Sequence, residues 1–473
     1  MIAYRELEAR LRECVDLYDR EVPPIRDFER RIMARVAITP REEGPRRSLR
    51  HDVLLSALVA AAILGLAIAI TAGVRLGLMR QPNVPVKHSQ QFSAVPCISN
   101  FTQLGFGNGP IWPAKMVSPT IGWAKGGLRT TDGGVHWRDV SGPALREGSA
   151  SRLYPPGYAD FYLDGQHAWQ AAVYGSTTSC NDHLSTFATS DGGNTWKQSG
   201  PVPLNLPSGH QTGTVQIGFM SPLAGWLWVP TGSASATGDP FFPSVTGANL
   251  YATSDGGMTW RQLSSLSSSY FKGFAAPPGS NCKPGPGAIA FSSPSVGWVS
   301  VNCTDTILIT RDAGASWKVQ TFPTSGLACP CHVQLPNFLD VSHGITVASG
   351  SDNKATDLLL MTTDGGTTWR ESAHPGTGYL LQIDAVDANR LFALVTPPGW
   401  TKVSNTGFEL YRSVDGGGSW TLVNGDVPAS WPPGYLQFVD SNHGFESNIN
   451  GAADLLTTDN GGRSWKSITP AIK

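Results

Sequence analysis

Thr253-Ser254-Asp255-Gly256-Gly257-Met258-Thr259-Trp260 is one of seven in-frame copies of an eight-residue phrase in this 473-residue chain. The phrase reads small hydroxyl, any residue, Asp, Gly or Ala, Gly, any residue, small residue, Trp. Its other copies are Thr130–Trp137 (TTDGGVHW), Thr189–Trp196 (TSDGGNTW), Thr310–Trp317 (TRDAGASW), Thr362–Trp369 (TTDGGTTW), Ser413–Trp420 (SVDGGGSW) and Thr458–Trp465 (TDNGGRSW), where Asn460 takes the Asp position. Successive Trp residues lie 59, 64, 57, 52, 51 and 45 positions apart. That period suits a four-stranded unit repeated around an axis.

The phrase has the chemistry of a hairpin. An Asp carboxylate accepts hydrogen bonds from N–H groups of its own turn, glycine takes φ > 0, and the leading hydroxyl adds a local bond. The Trp then opens the returning strand. β-rich runs lie on both sides, such as Asn249 to Ala252 before one copy and Trp260 to Leu263 after it. A looser element precedes the hairpin: Ser118-Pro119-Thr120-Ile121-Gly122-Trp123, Ser221-Pro222-Leu223-Ala224-Gly225-Trp226 and Ser293-Pro294-Ser295-Val296-Gly297-Trp298, with Ser441 to Phe445 a worn copy. It reads as a turn between two earlier strands. One repeat is therefore strand, Ser-Pro turn, strand, variable loop, strand, Asp hairpin, strand, and seven repeats predict an all-β, seven-bladed β-propeller over residues 95–470.

These repeats resemble the Asp-box (bacterial neuraminidase repeat) propellers, and their number and compactness most resemble the photosystem II assembly and stability factor family. The resemblance implies the architecture and a binding or assembly role; it maps no functional residue. In such hairpins Asp132, Asp191, Asp255, Asp312, Asp364, Asp415 and Asn460 are expected to be structural.

Ahead of the propeller, Val53 to Val74 is uncharged for 22 residues. As a helix it would extend about 33 Å, enough to cross a bilayer core. Its distance from the N-terminus and the long charged leader before it predict an uncleaved signal anchor rather than a cleaved signal peptide. Residues 1–50 form a charged segment with twelve Arg, ten acidic residues and no Lys. Two short amphipathic helices are expected there, one face carrying Leu7, Leu11, Val15 and Tyr18 and the other Ile25, Phe28, Ile32 and Val36. Residues 75–94 are a linker.

Topology is read mainly from cysteine. Cys14 precedes the apolar span, whereas Cys97, Cys180, Cys282, Cys303, Cys329 and Cys331 follow it. An even set beyond the span fits an oxidising compartment and makes these six the disulfide candidates, with fifteen pairings open. The N-terminus is then cytoplasmic and the propeller extracytoplasmic on a single-pass membrane protein. Cys329-Pro330-Cys331-His332 matches no usual zinc or haem spacing, and the sequence calls for no metal and no cofactor. With a formal net charge of −1, nothing marks a nucleic-acid partner.

Sialidases carry the same hairpins, yet the resemblance does not extend to their chemistry. They use an arginine triad, a Tyr–Glu nucleophile pair and an Asp acid/base. Of ten propeller arginines, seven (Arg129, Arg138, Arg261, Arg311, Arg370, Arg412 and Arg463) sit in or beside the hairpins, leaving Arg146, Arg152 and Arg390, and the Arg-Ile-Pro segment is absent. Other glycosidases need two carboxylates across a cleft. Asp160, Asp164, Asp340, Asp384 and Asp387 fall near the first strand of a repeat or its turn, where Asp commonly caps a turn. No catalytic residue is assigned.

The face opposite the hairpins gathers the long segments Glu147–Gly157, Thr231–Asn249, Ser264–Lys283, Pro397–Asn405 and Asp426–Gly434. Their aromatics Tyr154, Phe241, Phe242, Tyr270, Phe271, Trp400, Trp431 and Tyr435 are the candidate rim for a protein segment or a neutral glycan. The sequence thus predicts a membrane-anchored, non-catalytic scaffold for a protein partner or envelope complex. A polysaccharide-acting glycoside hydrolase and a transmembrane sensor are the alternatives.

Overall fold

The computed structural model describes residues 95–96, 114–143, 158–176, 179–204, 206, 210–233, 244–274, 283–302, 304, 306–325, 327, 332–350, 357–400, 407–429, 433–447 and 455–473. The charged segment, the apolar span and the linker through residue 94 lie outside them. Among the described residues no helix is long and apolar enough to cross a membrane. Five of the six disulfide candidates also fall outside; Cys180 lies on the strand Ser179–Thr189.

Seven antiparallel sheets follow one another along the chain. Blade 1 consists of Ala114–Met116, Gly122–Ala124, Leu128–Thr130 and His136–Asp139. Blade 2 is Tyr158–Tyr162, Ala168–Ser176, Ser179–Thr189 and Lys197–Gln198. Blade 3 is Gln216–Phe219, Gly225–Ser233, Ser244–Thr253 and Arg261–Leu266. Blade 4 is Gly285–Phe291, Gly297–Asn302, Ile307–Thr310 and Lys318–Gln320. Blade 5 is Asn337–Phe338, Gly344–Ser349, Leu358–Thr362 and Arg370–Glu371. Blade 6 is Leu380–Ala385, Leu391–Val395, Phe408–Ser413 and Thr421–Val427. Blade 7 is Tyr435–Phe438, Gly444–Ser447, Leu455–Thr458 and Lys466–Ile468. The chain is a seven-bladed β-propeller.

Each Asp hairpin joins the third and outer strands through the same bonds. In blade 5, Thr362 Oγ1 donates to Asp364 Oδ1 at 2.8 Å and accepts from buried Gly366 N at 2.9 Å, while Asp364 Oδ1 also accepts from Thr368 N. The hydroxyl-to-glycine bond recurs in all seven hairpins. Asn460 supplies the same oxygen in blade 7, accepting from Thr458 Oγ1 and Ser464 N.

The two glycines have different tasks. The first has positive φ, and its N–H donates to a carbonyl in the turn between the first two strands of its own blade, as Gly256 does to Leu223 at 2.9 Å. Every blade makes this bond, so the two recurring sequence elements meet on one face. The second glycine leaves room for the preceding blade: a Cβ at Gly314 would strike Leu250, and one at Gly462 would strike Leu410.

Aromatic rings stack across the seams, two of them, Trp123 and Trp298, from the Gly-Trp pairs. Trp123 stacks on Tyr162, Trp169 on Phe219 and Trp298 on Phe338, with interplanar angles of 12°, 7° and 18°. Phe392 stacks on Phe438 at 3.5 Å between centroids. Each time a second-strand ring meets the last residue of the next blade's first strand. The ring closes at blades 7 and 1, where Gln437 Oε1 accepts from Met116 N (2.8 Å) and its Nε2 donates to Met116 O (2.7 Å). Ala471–Ile472 adds a parallel strand outside blade 1, against His136 and Trp137.

Ala313 occupies the first-glycine position of blade 4 at φ 60°, in the left-handed region. Ala313→Gly is expected to stabilise the propeller by about 0.5–1 kcal/mol, because relief of the Cβ clash outweighs glycine's extra unfolded entropy. Thr310→Val should instead destabilise it by about 1–3 kcal/mol by stranding the buried Gly314 N–H. Denaturant unfolding of the two variants checks both signs.

Candidate loop-face site

Strand direction fixes the geometry. The turns between second and third strands, and the connections from each outer strand to the next blade, share the face opposite the hairpins. This loop face is uneven: in blades 2 and 3 the middle strands run nine to eleven residues, against three in blade 1. Residues Thr231–Ser233 and Ser244–Asn249, expected as loop, are extensions of the blade 3 strands. Ser264–Leu266 is strand and Ser268–Phe271 a helical turn.

The candidate rim separates accordingly. Tyr154, Phe241, Phe242 and Trp431 lie outside the described residues. Phe271 is only 1% exposed and belongs to the core between blades 3 and 4, so its expected surface position is corrected. Tyr270 is half-exposed and donates from its phenol to Trp317 O, tying the same two blades together. Trp400 packs against the apolar cluster between blades 6 and 7. Tyr435, 49% exposed, opens the innermost strand of blade 7 at the loop face. Sequence reasoning missed Tyr379, also exposed, which precedes the innermost strand of the adjacent blade 6.

The acidic candidates fall into two groups. Asp164, Asp340 and Asp387 cap the turns between first and second strands: Asp164 Oδ1 accepts from Gln166 N and His167 N, Asp340 Oδ1 from Ser342 N and His343 N, and Asp387 Oδ1 from Asn389 N and Arg390 N. These N–H bonds hold all three carboxyls below the usual range against the opposing effect of burial. Asp440 repeats the arrangement. Arg390, one of the three arginines left over, pairs with Asp387 and donates to Ser441 Oγ on this hairpin face.

Asp160 and Asp384 do not cap turns; they cross seams. Asp160 Oδ2 accepts from Gly126 N (3.1 Å) in blade 1 and from the Tyr162 phenol (2.9 Å), beside buried Lys125. Burial raises the Asp160 carboxyl and pulls the Lys125 ammonium down to about 7. Asp384 Oδ2 accepts from Phe438 N (2.6 Å) of blade 7, and burial pushes it up to about 6.

Asp384 belongs to a clasp along the innermost strands. Gln216 Oε1 accepts from Ile289 N (3.1 Å) in the next blade. Gln382 Oε1 accepts from Leu436 N (2.6 Å), while its Nε2 donates to Gly434 O. Lys115 Nζ donates to Tyr162 O (2.6 Å), and Gln437 bonds both ways with Met116. In strand register Gln216 matches Gln382, and Lys115, Asp384 and Gln437 match one another. Glu446, on the second strand of blade 7, is 0% exposed and accepts from Gly434 N at 2.7 Å. Burial pushes its carboxyl up to about 7. Glu446, Lys125 and the glutamines went unnoticed in the sequence because no repeated motif carries them. Among the described residues no group of three or more His, Cys, Asp or Glu is placed to hold a metal ion.

No protein-family model and no curated protein matches the chain. Solved structures similar to it include YCF48 from Cyanidioschyzon merolae, at 15% identity over 78% of this chain and 99% of that one, with a TM-score of 0.45. A YCF48 bound to D1 peptide is 19% identical over 66% of this chain and 82% of that one, with a TM-score of 0.36. The GH74 xyloglucanase from Xanthomonas campestris is 16% identical over 76% of this chain and 54% of that one, with a TM-score of 0.46. These likenesses add nothing to the propeller that the chain's own strand pairing defines.

The raised carboxyls set a pH dependence. An acid whose folded pKa exceeds its unfolded value contributes most at low pH, and that contribution is lost as pH rises. For Glu446 the window runs from 4.5 to about 7, and for Asp384 from 3.8 to about 6. Wild-type stability should therefore fall across this range, by up to about 3 kcal/mol from Glu446. Glu446→Gln should flatten the upper part of the profile, as read by denaturant unfolding at pH 4.5, 6 and 7.5; an unchanged slope would refute the assignment.

Proposed function

We propose that this protein is a non-catalytic binding scaffold, carried outside the cytoplasm on the anchor Val53 to Val74, that holds a protein partner at the propeller's loop face. One observation carries the reading. Tyr379 and Tyr435 are exposed at the loop-face ends of neighbouring innermost strands, whereas the acids of that sector hold backbone N–H groups: Asp384 that of Phe438, and Glu446 that of Gly434. Exposed tyrosines on a rigid strand framework supply contact area at little cost in conformational entropy. A hydrolase needs instead two carboxylates free to face a bond across a cleft.

The resemblance of the repeats to photosystem II assembly factors supports a client in a membrane or envelope complex under assembly; nothing in the propeller ties that client to photosynthesis. A benzoylphenylalanine photoprobe at Tyr435 of the full-length protein, irradiated in native membranes, should give a discrete protein adduct. The same probe at Val414, exposed on the hairpin face of blade 6, should not. Equal labelling from both positions, or none from either, would defeat the proposal. Release of reducing ends from cell-wall polysaccharide by the purified propeller would replace it with the hydrolase reading.

A further inference from the structure

The described residues hold two Asn-Gly pairs, Asn424-Gly425 and Asn460-Gly461. Such a pair is chemically fragile, because glycine, lacking a Cβ, lets its backbone nitrogen swing onto the amide carbon of the preceding side chain. The two pairs differ in what holds that nitrogen. In the blade 7 hairpin Gly461 N donates to Asn442 O at 2.8 Å, and the Asn460 side chain is pinned by Thr458 Oγ1, Ser464 N and Ser464 Oγ. Attack there would first break the bond that every hairpin makes to its inner turn. The Asp-Gly pairs of the other hairpins have the same protection. In addition, hydrogen bonds from Thr195, Thr368 and Ser419 hold the carboxyls of Asp191, Asp364 and Asp415 down to about 2, and an anion resists a nucleophile.

Gly425 sits instead in a β-bulge. The register runs from Asn424 opposite Leu410 to Val427 opposite Phe408, so Gly425 and Asp426 together face Glu409. Their strand, Thr421–Val427, is the outermost of blade 6, both bulge residues are exposed, and a Cβ placed on Gly425 would meet no atom within 4 Å. A disrupted ladder on an open edge gives the backbone room to turn. Asp426 N donates to Asn424 Oδ1 at 2.9 Å, so the oxygen that gains charge when a nitrogen adds to Cγ already has its donor. Asn424 Nδ2 meanwhile ties two blades together, donating to Gly462 O (3.1 Å) and Arg463 O (3.3 Å) in the blade 7 hairpin.

We propose that Asn424 is a site of spontaneous deamidation and that its conversion releases the blade 7 hairpin from blade 6. Gly425 N bonds to Asn424 Cγ, the Cγ–Nδ2 bond breaks, and ammonia leaves with the proton given up by Gly425 N. Water then opens the cyclic imide at either carbonyl, leaving aspartate or isoaspartate at position 424. In the aspartate form a carboxylate oxygen replaces Nδ2 opposite the Gly462 and Arg463 carbonyls, so repulsion replaces two hydrogen bonds. In the isoaspartate form the main chain runs through Cγ, which displaces the group altogether. Gly462 is the hairpin glycine packed on Leu410, so the seam has little slack to absorb either change.

The test ages the full-length protein in warm, mildly alkaline buffer and follows Asn424 and Asn460 by peptide mass mapping, with isoaspartate methyltransferase labelling to count the rearranged product. Asn424 should convert at least about tenfold faster than Asn460 in the folded protein, and the two should convert at like rates in urea. Gly425→Ala, which the open space accommodates, should unfold at the wild-type denaturant midpoint and slow conversion at 424 at least about tenfold. Fresh Asn424→Asp should unfold at a lower midpoint, and ageing should move the wild type, but not Gly425→Ala, towards it. An Asn424 that lasts as long as Asn460 in the folded protein, a rate difference that persists in urea, or a Gly425→Ala variant that converts as fast as wild type would overturn the site. An Asn424→Asp midpoint equal to that of the wild type would overturn the release of the hairpin.

Discussion

The propeller depends on one buried hydroxyl per blade. In each hairpin the Thr or Ser hydroxyl donates to an Asp or Asn side-chain oxygen and accepts from the second glycine's N–H, so a tight turn closes without an orphaned buried amide. That closure brings the first glycine or Ala313 against the same blade's inner turn and the second glycine against the previous blade. One local bond pattern therefore sets both the shape of a blade and its distance from its neighbour.

Seams differ in what fills them. Seams 1–2, 2–3, 4–5 and 6–7 are built on face-to-face aromatic pairs, and the pair at 3–4, Trp226 and Phe291, is tilted. At seam 7–1 the residues in register are Phe445 and Met116, and Gln437 supplies two hydrogen bonds to the Met116 backbone. A closed ring cannot relax one seam without straining the rest, so directional bonds there fix the register that stacking alone would leave to slide.

The sector of blades 6 and 7 is where structural and binding demands meet. Gln382 and Asp384 hold the blade 7 strand from the innermost strand of blade 6, and Glu446 holds its first turn from within the seam. Tyr435 therefore projects from a backbone fixed at Gly434, Leu436 and Phe438. A surface aromatic on so rigid a base loses little entropy on contact with a partner, which is what a scaffold without moving parts requires.

The sequence by itself determined the blade count, the strand order and the joining hairpins, because those rest on bonds within eight residues and recur seven times. The Ser-Pro and Asp turn caps were legible for the same reason. The tertiary structure alone decided which acids do what. Asp160 and Asp164 are four residues apart, yet one caps a turn and the other crosses to Gly126. Phe271 and Tyr270 are adjacent, yet one is core and the other surface. Glu446, Lys115 and the clasp glutamines owe their partners to neighbouring blades, 321 residues away in the case of Gln437 and Met116. A hydrogen bond whose donor and acceptor meet only when the ring closes leaves no local pattern in the chain, and such bonds set the environment of Glu446 and Tyr435.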